Sequence, residues 1–228
     1  MSRTRSPFLD GLTASLPIVM GYLPIAFSFG VAATRAGFSA VEAFALSLII
    51  YAGASQFLAL ALLTSGAPVL VSAFTLIAMN LRHALYGPAL IRAAGRDAST
   101  RQAWAWGFGL TDEVFGQALG ALARGQRFSE PYMFGLGLGA YASWLSGTAA
   151  GAIAGGSALD GWPAVSAGLG FMLPALFLAL LLSILSRRQL PVIAVAGAVT
   201  VAATLAISAT SGILLGMLAG AVTGLLRR

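Results

Sequence analysis

The chain has 228 residues, 58% of them hydrophobic and 9% charged, with a mean hydropathy of +0.89. A soluble domain carries about 25% charged residues, so the composition excludes a water-soluble globular fold and predicts an all-α, polytopic helical membrane protein. The net charge is +6 and all 13 basic residues are arginine; they lie singly or in pairs at the ends of apolar runs, which fits topology and headgroup contacts and excludes a nucleic-acid face.

Apolar segments follow one another at roughly 12–34, 41–64, 67–91, 103–123, 132–157, 164–186, 190–207 and 209–226, each near the ~20 residues of a spanning helix. Arg3 and Arg5 precede the first, which carries Pro17 and Pro24 and is longer than the core of a signal peptide, so it reads as a retained span. The second contains Tyr51-Ala52-Gly53-Ala54-Ser55-Gln56, a run of small side chains with an amide. Tyr86-Gly87-Pro88 interrupts the third and Pro174 the sixth. The last two segments are short and separated by Ser208–Gly212, so seven and eight transmembrane helices are both open, in one integral membrane domain, 1–228.

Breaks of this kind have two explanations. Small residues and prolines serve ordinary helix packing in membranes. They also free backbone groups where a helix faces a water-filled cavity, which makes Pro24, Gly53, Ser55 and Gln56 candidates for lining one. Phe57-Leu58-Ala59-Leu60 recurs as Phe177-Leu178-Ala179-Leu180, which hints at repeat halves near 12–91 and 132–207, the kind of symmetry found in secondary transporters. The tryptophans Trp104, Trp106, Trp144 and Trp162 fit partly with an interfacial belt. With eight spans and the N-terminus inside, Arg3, Arg5, Arg124, Arg127, Arg187, Arg188, Arg227 and Arg228 fall in the cytoplasm. Arg35, Arg92, Arg96 and Arg101 then fall outside. That excess favours a cytoplasmic N-terminus, with the cluster Arg92/Arg96/Arg101 as the awkward member.

Asn80-Leu81-Arg82-His83 lies inside the third segment and Asp112-Glu113 inside the fourth. Such residues near a bilayer centre cost about 2.5–3.5 kcal/mol each on insertion scales, so they have a partner or a job. Both clusters fall near the middle of their segments, so an antiparallel pair of spans brings Arg82 to Asp112 or Glu113. Asn80 and His83 share a helical face. Arg82 neutralises one carboxylate, leaving the other, or His83, to load and release a proton. A zwitterionic amino acid also suits the site, its carboxylate on Arg82 or on a broken helix's N-terminus and its ammonium on an acid or exposed carbonyls. The structural alternatives are a plain ion pair, or a cluster brought to the headgroups by Gly87-Pro88. Cysteine is absent and His83 is the one histidine, which excludes disulfides, thiolate sites and multi-histidine metal centres; no metal or cofactor is expected.

At these residues the sequence resembles the AzlC family, the large subunits of branched-chain amino acid exporters. The resemblance is carried by Gly21-Tyr22-Leu23-Pro24-Ile25-Ala26-Phe27-Ser28-Phe29-Gly30, Tyr51–Phe57, Asn80-Leu81-Arg82-His83 and Thr111-Asp112-Glu113, in order over about 1–115. It implies a secondary carrier of the inner membrane that exports valine, leucine, isoleucine and sometimes methionine, driven by protons. It also implies a small AzlD-type membrane subunit as partner. Competing readings are a channel, an ATP-driven permease subunit or an intramembrane enzyme. The last lacks a Gly-x-Ser-x-Gly turn and a second deep aspartate beside Asp112.

Overall fold

The computed structural model describes residues 6–95, 98–155 and 161–227, and among them every regular element is helical. Arg3, Arg5, Arg96, Asp97, Asp160 and Arg228, and the side chains of Phe177, Ala179 and Leu180, lie outside the described residues. The elements are α1 (Pro7–Ala14), α2 (Leu16–Arg35), α3 (Ala40–Ile50), α4 (Gly53–Thr64), α5 (Val69–Asn80), α6 (His83–Ala94), α7 (Ala103–Trp106), α8 (Asp112–Ala123), α9 (Glu130–Ala154), α10 (Pro163–Ile184), α11 (Leu190–Ala206) and α12 (Ala209–Leu226). Each apolar segment of the sequence is found in helix. Two compact units divide the chain, one of residues 1–72 with 79–173, the other of 73–78 with 174–228.

The first unit is framed by α2 and α9. Along α9 a small residue recurs every four positions: Gly135, Gly139, Ser143, Gly147, Gly151, Gly155. This seam lets two backbones touch. A Cβ on Gly151 would overlap the Phe27 carbonyl, and one on Gly135 the Phe8 carbonyl. Gly135 meets residue 8 and Gly155 meets Thr34, so α1–α2 and α9 run in the same direction.

The second apolar segment does not continue through. Ser39 caps α3, with Glu42 completing a capping box. After Ile50 the chain turns at Tyr51, whose φ of 37° and ψ of 45° are left-handed, and at extended Ala52. Helix α4 then returns beside α3: the Gln56 amide donates to Ser47 Oγ at 2.8 Å, and Ala43 and Leu60 share a core cluster with Phe29, Ala33 and Ala152. In an unbroken helix Ala43 and Leu60 would be about 25 Å apart.

The fourth segment folds back in the same way from the other end. Helix α7 leads into a 3-10 turn, Gly107–Gly109, then extended Leu110 and Thr111, after which α8 returns. Its two ends meet at Glu130, whose Oε1 accepts from the Gln102 backbone N–H at 2.6 Å and from Trp106 Nε1 at 3.1 Å. Leu90, Leu122, Phe128 and Tyr132 line one crevice there. Twelve residues of α8 measure about 18 Å, against about 30 Å of hydrocarbon, so each hairpin reaches about half-way.

Between the hairpins, α5 and α6 join through Leu81 and Arg82, both in right-handed helical conformation. The bonds at the join tighten to i→i+3, Ala84 N–H to Leu81 and Leu85 N–H to Arg82. The expected interruption at Gly87-Pro88 is not there: α6 runs through Pro88, and α10 through position 174. One missing N–H is borne by an otherwise complete ladder. Within the first unit the order is α2, a hairpin entering from the Arg35 end (α3–α4), α6, a hairpin entering from the Ser6 end (α7–α8), and α9. A helix followed by a hairpin occurs twice, over 16–64 and 83–123, the second time inverted.

In the second unit α11 and α12 form an antiparallel pair broken at Ile207–Ser208, with Gly212 and Gly216 seated under Thr204 and Thr200. Ser208 caps α12 through the Ser211 N–H at 3.2 Å.

Candidate functional site

Three backbone breaks bring helix ends together inside the first unit: the N-terminus of α4 at Gly53, the α5–α6 join at Asn80–His83, and the N-terminus of α8 at Asp112. Ser55 Oγ donates to Asn80 Oδ1 at 2.8 Å, which ties the join to the first hairpin tip. Arg82 Nη2 lies 2.8 Å from Asp112 Oδ2, the pairing expected from the sequence. The Tyr86 hydroxyl also donates to Asp112. The Asn80–His83 cluster therefore sits at the level of the hairpin tips. His83 meets Tyr86 edge to face, 5.3 Å between ring centres, while Asn80 is occupied by Ser55.

Asp112 and Glu113 are neighbours in sequence with different surroundings. Thr111 caps α8 by accepting from the Val114 N–H at 3.3 Å, and both acids stand in the first turn, where the helix dipole favours negative charge. Glu113 turns to α2. Its Oε2 is 2.5 Å from the Tyr22 hydroxyl, which is also 2.6 Å from Thr111 Oγ1. A phenol has one proton; the carboxylate is the stronger acceptor, so Tyr22 donates to Glu113 and accepts from Thr111. Among the described residues Arg82 pairs with Asp112 and no cation pairs with Glu113. The site therefore holds one carboxylate paired with a cation and one partly exposed carboxylate without such a pair.

Gln56 is fully buried, and both polar atoms of its amide are bonded. Its Nε2 donates to Ser47, its Oε1 accepts from Trp144 Nε1 at 2.8 Å, and Ser47 bonds Thr148 at 2.7 Å. The Trp144 ring lies over Gly53, where a Cβ would come within 2.5 Å of it, and meets Tyr22 edge-on at 5.1 Å. Tyr51 is 5% exposed, and its hydroxyl has no hydrogen-bond partner among the described residues. Its ring is held by Tyr141 at 4.7 Å and Phe108 at 6.1 Å, which joins the two hairpin tips to α9. A largely apolar cleft of about 150 Å³ adjoins this contact, lined by Trp106, Phe108, Met133, Phe134 and Tyr141 among others.

Of the expected site residues, Gly53, Ser55, Gln56, Asn80, Arg82, His83, Asp112 and Glu113 come together around the tips. Pro24 acts through the backbone of α2, two positions past Tyr22, by leaving the Met20 carbonyl without its helical donor. Sequence reasoning passed over Trp144, assigned to an interfacial belt, and gave no role to Tyr22 and Tyr51, although both lie in the motifs it singled out. The signal for Trp144 was its place inside the four-residue small-side-chain seam, where no helix end is due.

Residues 17–158 match the family model described as AzlC protein. The chain is 43% identical to the inner membrane protein YgaZ of Escherichia coli (strain K12), over 96% of this chain and 90% of that one. It is 42% identical to an uncharacterized membrane protein of Archaeoglobus fulgidus, over 93% and 92% of the two chains. The branched-chain amino acid transport protein AzlC of Bacillus subtilis (strain 168) is 26% identical over 78% of this chain and 68% of its own. No solved structure matches the chain.

Proposed function

The chain belongs to the AzlC family, and from that premise we propose that it is a secondary carrier exporting branched-chain and related aliphatic amino acids in exchange for protons. It works in the inner membrane with a small AzlD-type membrane subunit. The name of the Bacillus subtilis relative supports the substrate class, and that of the Escherichia coli relative the membrane. The twice-used, inverted span-plus-hairpin motif supports a carrier, because such repeats supply two faces that open alternately around a midplane site.

The observation that carries the proton coupling is Glu113: a carboxylate at hairpin-tip depth, held by Tyr22, beside an Arg82–Asp112 pair that is already neutral. It can gain or lose a proton without disturbing that pair. The orientation follows the arginines. Arg92, Arg101, Arg124 and Arg127 cluster at the Ser6 end of the first unit and Arg35 lies at the other, which favours a cytoplasmic N-terminus. The fold-back of 103–123 removes the awkward cluster of the linear count, since Arg92 and Arg101 now share an end with Arg124 and Arg127.

The test is efflux of labelled valine, leucine and methionine from loaded vesicles, with and without a pH gradient and the small subunit. Efflux should follow the gradient and be lost in Asp112→Asn, Glu113→Gln and His83→Ala, all still inserted. Unchanged efflux in the three variants refutes the proposal.

A further inference from the structure

The two returning helices start at the same depth but are furnished differently. The N-terminus of α8 carries Thr111, which caps the Val114 N–H, and two acids, Asp112 and Glu113, which answer its dipole. The N-terminus of α4 carries Ala52, Gly53 and Ala54: no side-chain cap and no acid. Its first-turn N–H groups have no helical acceptor. The one buried side-chain polar atom without a partner among the described residues is the hydroxyl of Tyr51, the residue before the N-cap of this helix. A buried unpaired hydroxyl is costly and calls for an explanation. Trp144 closes the gap, covering Gly53 on one side and touching Tyr22, which holds Glu113, on the other. A bare positive helix end is thus linked through Trp144 and Tyr22 to a carboxylate with no paired cation, and it follows a residue whose buried hydroxyl has no partner among the described residues.

We propose that this dipolar pair binds the amino acid in one orientation, its α-carboxylate on the α4 N-terminus and the Tyr51 hydroxyl, its α-ammonium on Glu113, so that substrate and proton compete for the same carboxylate. This rests on the amino-acid transport reading above. Arg82 is not the carboxylate anchor, because Asp112 and Tyr86 hold the partner it already has. The exchange balances: with substrate bound, Glu113 is ionised and the ammonium keeps its three protons; on release, one proton takes the ammonium's place on Glu113. One amino acid leaves for each proton that enters.

The test is equilibrium binding to the full chain purified in detergent, with three probes: valine, 2-hydroxyisovalerate (no ammonium) and valinamide (no carboxylate). The unaltered protein should bind valine, more tightly as the pH is raised. Glu113→Gln should lose valine affinity by about 10–100-fold and its pH dependence, while binding 2-hydroxyisovalerate at least as well as the unaltered protein, which also shows that the variant is folded. Tyr51→Phe should weaken valine and 2-hydroxyisovalerate about tenfold and leave valinamide unchanged. Valine bound equally by Glu113→Gln, or valinamide weakened as much as valine by Tyr51→Phe, overturns the orientation while leaving amino-acid transport standing. No valine binding by the unaltered protein overturns both.

Discussion

Gln102→Cys and Gln126→Cys, made singly, test the fold-back of the fourth segment. The chain has no cysteine, so each variant carries one thiol. Were 103–123 a single span, the 24 residues between these positions would separate them by about 36 Å along a helix and place them on opposite faces of the membrane. In the structure the Gln102 backbone N–H lies 2.6 Å from Glu130 Oε1. Four residues separate Glu130 from Gln126, a reach of at most about 14 Å of chain. Both thiols should therefore react with a membrane-impermeant maleimide from the same side in right-side-out or inverted vesicles. Ser65→Cys, at the Arg35 end beyond α4, should react from the opposite side. Labelling of Gln102→Cys and Gln126→Cys from different sides would refute the hairpin and, with it, the arginine count that sets the orientation.

Two further substitutions read the packing that positions the site. Gly151→Ala places a methyl on the Phe27 carbonyl, so α2 and α9 must separate; a cost of about 1–3 kcal/mol should appear as a lower melting temperature in detergent. Gln56→Leu leaves the buried Trp144 N–H unpaired, with a similar cost of about 1–3 kcal/mol. Adding Trp144→Phe to that variant should lower the melting temperature by less than Trp144→Phe does alone, since the lost bond is shared.

Hydropathy located the helical segments from α2 onward, because burial in lipid leaves a compositional trace that survives any fold; α1, Pro7–Ala14, lies mostly ahead of the first apolar segment. It could not tell two half-helices from one span: 41–64 and 103–123 have the length and polarity of single crossings. The turn at Tyr51 is stabilised by groups far away in sequence, Trp144, Tyr141 and Phe108, so no local pattern announces it. That Arg82 pairs with Asp112 or Glu113 was legible because intramembrane charges need partners and few are on offer; that the partner is Asp112 was not. The placement of Arg92 and Arg101 was not, because it depends on how often the chain crosses. The four-residue spacing of small residues from Gly135 to Gly155 stands in the sequence but was read only once the structure set it against α1 and α2.

The bond from Trp144 to Gln56 joins residues 88 positions apart. A ribosome adding about 5–20 residues per second needs roughly 4 to 18 s to make the indole after the amide has emerged. Throughout that interval the first hairpin is complete in sequence but lacks the ring that covers Gly53 and the donor that satisfies Gln56. Its half-length helices are too short to insert as independent spans. The hairpin lacks these partners until α9 arrives, and the order of synthesis makes α9 the element that completes the site.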